Sequence, residues 1–221
     1  MSLKITAVLG DYYHNEKVSF KASENTVQML NEEIGGVEIK YISPNELIED
    51  LNKKPDVVIL FKENRLNPED DIVTIWMDKD TASAITKYVE NGGGWIAWHS
   101  GMAKYENVTE YISMLRGQFK YHGAHQIVEY IAEPGSDFIV KDNTFKFLDE
   151  HYMVDCEEEN TNVLLRSRSV DGDSIAAWAH EYGNGRVMCI APAHLEEGLL
   201  HPAFQKMMVN SLKWCARKIS S

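Results

Sequence analysis

The chain alternates short apolar runs with segments in which apolar residues recur every three or four positions. Continuous or alternating runs predict three strands in the first part of the chain, at 3–9, 37–42 and 56–61. Helical spacing predicts three helices, at 24–34, 43–51 and 81–91. Strands that alternate with helices favour a parallel sheet with helices on both faces.

The second half of the chain is richer in strand-like patterns. Strands are predicted at 126–132, 162–169, 174–180 and 186–191. Helices are predicted within 102–115, as a short helix within 142–152, and as an amphipathic helix at 202–218. The whole pattern predicts one α/β domain over 1–221, with a mainly parallel sheet and antiparallel strands added in the second half.

The segment 92–102 reads Gly-Gly-Gly-Trp-Ile-Ala-Trp-His-Ser-Gly-Met. Its apolar part predicts a short buried strand that runs directly into a His-Ser-Gly turn. Such a turn is typical of a nucleophile elbow, which presents one side chain above the sheet. That side chain is His99, so an imidazole replaces the usual serine or cysteine. Ser100 is interpreted as a helix N-cap rather than a nucleophile.

Composition and charge argue against several classes of protein. The chain has 22 Lys and Arg against 34 Asp and Glu, for a net charge of −12. This balance argues against nucleic-acid and anionic-membrane binding, which need clustered cations, and favours a small neutral or cationic ligand. The scattered cysteines Cys156, Cys189 and Cys215 predict no disulfide. Because no apolar stretch reaches the length of a membrane span or resembles a signal peptide, we expect a cytoplasmic protein.

Histidines and carboxylates follow the predicted strands at the ends where open α/β sheets bind ligands. Asp11 and His14 follow the first strand, and His99 follows the fourth. His194 follows the last strand, with Glu196 placed as the carboxylate that would orient it as a general base. Further candidates lie between them: His122, His125, Glu150 and Tyr152. All of these residues also suit structural roles, and which histidines converge depends on the fold.

The elbow and the late His-x-Glu resemble the class I glutamine amidotransferase-like fold, in which a cysteine occupies the elbow. Because thiolate chemistry needs the thiol, amidotransferase activity is not expected. The chain is more similar to the ThuA-like (trehalose utilisation) family, which places His-Ser at the elbow. The motifs that carry this resemblance, in order from about Thr81 to Trp214, are Gly92-Gly93-Gly94, His99-Ser100-Gly101, Phe119-x-x-His122, Asp149-Glu150-x-Tyr152, Ala177-Trp178, Tyr182-Gly183-x-Gly185-Arg186-Val187 and His194.

Two segments depart from the family pattern. The family often has a His-Pro pair before the Asp-Glu-x-Tyr motif, where this chain has Lys141-Asp142-Asn143-Thr144. Some members carry an extra histidine shortly after the elbow, where this chain has Met102-Ala103-Lys104. Functions that those two histidines perform in other family members are therefore not expected of this chain.

The resemblance implies a three-layer αβα, flavodoxin-like architecture and a role in sugar metabolism. We expect an acid–base hydrolase or isomerase acting on a disaccharide or keto-sugar, with catalytic residues His99, His122, Glu150 and His194. The expected substrate-binding residues are Asp11, His14, Ser100, Lys104, Tyr152 and Glu196. The same types of side chain suit a divalent metal such as zinc. The alternative is a catalytically silent carbohydrate-binding or interaction module. The apolar face of the final helix suits either the core or a subunit interface, so a homo-oligomer is compatible with the sequence.

Overall fold

The computed structural model describes residues 2–136 and 144–218. In these residues the strands are β1 (Leu3–Leu9), β2 (Val37–Tyr41), β3 (Val57–Phe61), β4 (Gly94–Trp98), β5 (Gly117–Tyr121), β6 (Gln126–Ala132), β7 (Thr144–Asp149), β8 (Met153–Cys156), β9 (Asn162–Ser169), β10 (Gly172–Tyr182) and β11 (Gly185–Ile190). The α-helices are α1 (Glu16–Ile34), α2 (Leu47–Leu51), α3 (Lys79–Glu90), α4 (Thr109–Leu115), α5 (Glu196–Leu199) and α6 (Pro202–Cys215).

One large mixed sheet organises the described residues. Nine strands lie in the order β2-β1-β3-β4-β11-β10-β9-β6-β7, and β5 pairs with β8 in a separate two-stranded sheet. The pairs from β2 to β11 are parallel, and those from β11 to β7 are antiparallel. The α/β class is confirmed. The sheet is evenly mixed rather than mainly parallel, because its nine described strands make four parallel and four antiparallel pairs.

The parallel strands bring distant parts of the chain to one edge of the sheet. β4 lies between β3 and β11, with Trp98 opposite Ile190 at the carboxyl end. The residues that follow β1, β3, β4 and β11 therefore emerge together at this edge, which is where open α/β sheets bind their ligands.

The helices pack in two groups. α1 contacts α5 and α6, and α6 packs on β4 and β11, while α3 contacts α2, α4 and β11. The buried apolar side chains form one continuous cluster, which includes most of α6. Within the part of the chain that the structure describes, no helix has the length and apolar character needed to cross a bilayer.

The structure corrects two of the predicted elements. The helix predicted at 24–34 begins earlier, at Glu16. Its first turns bury small and hydroxyl-bearing side chains such as Ser19, Ala22 and Ser23, so the apolar periodicity that predicts a helix is missing there. The short helix predicted within 142–152 is wrong, since the described part of that segment forms β7, in which Phe145 and Phe147 point inward. Residues 141–143 lie outside the described residues. They include the start of the predicted short helix and most of the segment that departs from the family pattern.

His180 on β10 makes the stability of the fold depend on pH. Its Nε2 donates to the carbonyl of Met114 at 2.9 Å, and burial lowers its pKa to about 4. The ordinary pKa is 6.5, so between these values the unfolded ring binds a proton that the folded ring does not. Stability is therefore lost as the pH falls through this window.

We expect His180→Gln, which keeps an N–H for the Met114 carbonyl, to reduce this acid loss. Between pH 7 and pH 4.5 the free energy of unfolding of the variant should fall by about 2–3 kcal/mol less than that of the wild type. Urea unfolding at the two pH values measures the difference. Equal losses in the two proteins would contradict the assignment of His180 as the titrating group.

Candidate functional site

The chain turns sharply where β4 ends. His99 has a positive φ of 47°, which non-glycine residues seldom adopt, and it begins a short 3-10 turn over His99–Met102. A Cβ at Gly101 would lie 2.2 Å from the carbonyl oxygen of Leu60, so only glycine lets the turn approach β3 this closely. The predicted elbow is present. Ser100 is inside the turn and not its N-cap, because the helical turn begins one residue earlier than predicted.

The His99 ring is completely buried and has one defined orientation. Its Nδ1 lies 2.6 Å from the carbonyl oxygen of Ala191, just beyond β11. A carbonyl oxygen only accepts hydrogen bonds, so Nδ1 carries the hydrogen and Nε2 presents a lone pair in the neutral ring. The Tyr152 ring stacks on the imidazole with centroids 3.9 Å apart, and burial raises the pKa of its hydroxyl.

The loop after β1 holds a second buried imidazole. The Asp11 carboxylate accepts hydrogen bonds from the backbone of Tyr13, His14 and Glu63 and from His14 Nδ1, the last at 2.6 Å. Burial raises the pKa of Asp11, but the hydrogen bond and charge of His14 outweigh it and hold the pKa well below its usual range. The carboxylate is therefore ionised, and His14 Nδ1 carries the hydrogen.

Glu150 follows β7 and lies at the centre of a group of histidines. Among the described residues, four imidazole nitrogens lie 3.3–3.6 Å from its carboxylate. His99 and His194 face Oε2, whereas His122 and His125 face Oε1. Burial raises the pKa of Glu150, but the His99 contact, followed by the charges of His99, His194 and His122, lowers it to about 2.

His194 is held through its backbone. Its N–H donates to Asp149 Oδ1 at 2.7 Å, and the other oxygen of Asp149 accepts from the Tyr130 hydroxyl at 2.6 Å. Burial first, and then the charge of His99, lower the pKa of His194 to about 3. His194 is therefore a neutral imidazole at physiological pH, which leaves a ring nitrogen able to coordinate a cation.

The donor atoms of this cluster fit a divalent cation. His14 Nε2, His99 Nε2 and His194 Nδ1 are buried and have no hydrogen-bond partner among the described residues. With Glu150, these residues offer four ligand atoms that all lie within 4.8 Å of one another. Tetrahedral zinc with bonds of about 2.0–2.1 Å holds its donors about 3.3 Å apart. The contacts of Glu150 Oε2 with His99 and His194, at 3.5 and 3.3 Å, match that separation.

A cavity of about 500 Å³ opens above the cluster. His122 and His125 stand on its open side, with side chains 36% and 44% exposed. The cavity is lined by Tyr13, His14, Glu63, Arg65, Ala103, Lys104, Phe119, Lys120, Tyr121, His122, His125, Glu150, Tyr152 and His194. The structure therefore brings together six of the predicted site residues here: His14, Lys104, His122, Glu150, Tyr152 and His194. His99 lies directly behind Glu150.

Three residues predicted to bind substrate lie elsewhere. Asp11 and Ser100 are buried behind the histidines, so neither side chain lines the cavity. Glu196 is wrong as the partner of His194, because α5 begins at this residue and turns it to the surface, where it pairs with Lys21 at 3.1 Å. Glu150, from a different strand, takes the expected position beside His194.

Several residues in and beside the cavity have no role predicted from the sequence. Asp149, which holds the backbone of His194, is part of the quoted Asp-Glu-x-Tyr motif, and its burial follows from the strand alternation of β7. Glu63, Arg65 and Tyr13 come from loops after β3 and β1. Their position after buried strands was the available signal.

A family model described as trehalose utilisation (ThuA) matches residues 6–215. The chain belongs to the ThuA family. The sequence matches no curated protein. Among solved structures, a ThuA-like protein from Parabacteroides merdae matches with a TM-score of 0.76 and 15% identity, covering 100% of this chain and 92% of that one.

Two further structures share the fold of this ThuA-family chain. A ThuA-like protein from Bacteroides uniformis has a TM-score of 0.71 and 19% identity, covering 96% of this chain and 91% of its own. A protein from Salmonella typhimurium, described as a cytoplasmic protein, has a TM-score of 0.68 and 14% identity, covering 96% of this chain and 99% of its own. At these identities the likeness establishes the fold alone.

Gly101→Ala tests the close approach at the elbow. The added Cβ would overlap the Leu60 carbonyl, whose backbone cannot move without disturbing β3. We expect a loss of about 2–4 kcal/mol in the free energy of unfolding, measured by denaturant titration.

The matched control is Gly35→Ala at the end of α1. Gly35 has a φ of +68° and a ψ of 158°, which glycine adopts far more readily than alanine, but no atom within 4 Å of the added Cβ, so only backbone strain of about 1–3 kcal/mol applies. A loss below about 1 kcal/mol in Gly101→Ala, smaller than the loss in this control, would show that the elbow is not tightly packed.

Proposed function

We propose that this ThuA-family chain is an acid–base enzyme of sugar metabolism in the cytoplasm, acting on a disaccharide or keto-sugar. The observation that carries the proposal is the buried Glu150 carboxylate, contacted by four histidines at the base of the 500 Å³ cavity. The volume suits a small ligand. The family description, trehalose utilisation, supports a sugar as that ligand. The two groups of helices support a three-layer, flavodoxin-like arrangement.

The two oxygens of Glu150 face groups with different environments. Oε2 faces the buried rings of His99 and His194, and Oε1 faces the more exposed rings of His122 and His125. Imidazoles gain and lose protons near neutral pH. His122 and His125 would exchange a proton with the sugar in the cavity. The Glu150 carboxylate, whose lowered pKa keeps it ionised, would stabilise the imidazolium that forms. The same proton exchange serves hydrolysis or keto–enol isomerisation.

We also propose that His14, His99, His194 and Glu150 hold a divalent cation such as zinc. A cation held by these residues with one coordination position left open would supply Lewis-acid polarisation of a substrate oxygen. Asp11 would keep His14 Nε2 free, and the Ala191 carbonyl would do the same for His99 Nε2. Carboxylates and carbonyls that fix the tautomer of histidine in this way are typical partners of metal ligands.

Glu150→Gln tests the enzymatic proposal. The amide keeps the size of the side chain but has no negative charge with which to attract the histidines or stabilise an imidazolium. We expect kcat/KM to fall by about 100-fold or more. The measurement uses trehalose, other disaccharides and their 3-keto derivatives, with product analysis separating hydrolysis from isomerisation.

The matched control is Glu197→Gln, an exposed carboxylate outside the cavity, which should leave turnover unchanged. Normal turnover by Glu150→Gln would overturn the catalytic role. Saturable sugar binding by the wild type without turnover would favour the silent binding module instead.

Metal binding is tested on protein purified without a histidine tag. We expect one zinc or similar divalent ion per chain, a rise in thermal stability when it is added to chelator-treated protein, and loss of both in His99→Ala and His194→Ala. His122→Ala should retain the ion, because His122 is outside the four-residue set. Wild-type protein that neither contains nor is stabilised by any divalent ion would contradict the metal proposal.

A further inference from the structure

The walls of the cavity carry charged side chains of both signs. The chain carries a net charge of −12. Of the described residues that line the cavity, three are permanently cationic, Arg65, Lys104 and Lys120, and two are carboxylates, Glu63 and Glu150. A ligand in the cavity therefore meets charged groups of both signs, and what it gains depends on which of them already have partners.

Two of the three cations already have partners. Arg65 makes two hydrogen bonds with the Glu63 carboxylate, at 2.5 and 3.1 Å. Lys120 pairs with Asp155 at 3.0 Å, where both side chains are about half exposed. Neither charge is free to bind an incoming anion without giving up an existing contact.

Lys104 differs from both. It is half-buried in the cavity wall, and its side chain makes no ion pair or hydrogen bond within residues 2–136 and 144–218. In the wall of a cavity, an ammonium without a counter-charge attracts an anion over a few ångströms, with less intervening water than on an open surface. A wall with one unpaired ammonium therefore gains most from a ligand that carries a negative charge.

The backbone holds Lys104 in place. The residue has a positive φ of 66°, directly after the elbow turn. Its neighbour Ala103 donates its N–H to the Ser100 carbonyl and accepts from the Asn64 N–H, and the buried Tyr105 donates its hydroxyl to the Lys62 carbonyl at 2.6 Å. Lys104 is therefore held on a fixed segment directly after the turn that carries His99.

We propose that Lys104 recognises the carboxylate of an acidic sugar, so that the preferred substrates contain a uronic acid unit. This inference rests on the proposed function of the cavity as a sugar site. A single lysine acts as a point charge and matches a monoanionic carboxylate. A phosphate dianion fits less well, because Glu63 and Glu150 share the cavity and the only arginine that lines it, among the described residues, is already paired.

Lys104→Met tests the proposal by removing the charge while keeping the length of the side chain. The probes are trehalose, a glucuronic acid–glucose disaccharide and glucose 6-phosphate, each titrated by calorimetry. We expect the wild type to bind the uronic acid disaccharide most tightly and the variant to lose about tenfold or more of that affinity. The loss of affinity should be larger for the uronic acid disaccharide than for trehalose, and Lys104→Arg should retain the preference.

The matched control is Lys53→Met. This substitution removes the same charge from an exposed lysine that pairs with Glu49 and does not line the cavity. It should leave all three affinities unchanged. If trehalose is bound and turned over while Lys104→Met leaves the uronic acid affinity intact, the inference is overturned and the enzymatic proposal stands. A preference for glucose 6-phosphate overturns the choice of carboxylate. Binding of the uronic acid that depends on Lys104, without turnover, supports the inference and contradicts the enzyme.

Discussion

The hydrogen bond between His99 Nδ1 and the Ala191 carbonyl is the contact on which the candidate site depends. It joins the carboxyl ends of β4 and β11, which are adjacent in the sheet although His99 and Ala191 are 92 residues apart in sequence. Trp98 strengthens the junction by donating its indole N–H to the Pro192 carbonyl at 2.8 Å. The same contact fixes the tautomer of His99 and aims Nε2 at Glu150. The positive φ of His99 is the strain that this orientation requires.

Much of the fold was predictable because its parallel half is built from apolar runs. β1, β2, β3 and β4 are continuous or alternating apolar segments, and their pattern alone indicates strands in an α/β sheet. β7 was not recognised because its alternation is obscured: Leu148 lies on the more exposed face and Asp149 on the buried one. Propensity cannot anticipate a buried aspartate, whose burial depends on Tyr130 and the His194 backbone as hydrogen-bond partners.

The site was predictable in its residue types more than in its contacts. Strand ends correctly indicated where His99, His194 and His14 lie, because parallel strands share one edge. The position of Glu150 depends on the pairing of β6 with β7, which sets Gln126 opposite Asp149 and so places His125 beside Glu150. That register is set by the tertiary structure and does not follow from spacing along the chain. The pairing of His194 with Glu196 was wrong for the same reason, since spacing along the chain does not indicate the direction of a side chain at the start of a helix.

Net charge was the least informative property for the ligand. The net charge of −12 favoured a neutral or cationic ligand. Exposed charges, however, act through solvent and are screened within about 8–10 Å at physiological salt. Charges that line a cavity act on its contents over a few ångströms with little intervening water. There, His99 Nε2 lies 3.5 Å from a carboxylate that is itself only an acceptor, and the ligand atom of His14 lies within 4.8 Å of the same group. Acceptors that face one another need a proton or a cation between them, so it is the convergence of these groups, and not the overall acidity, that determines what the cavity binds.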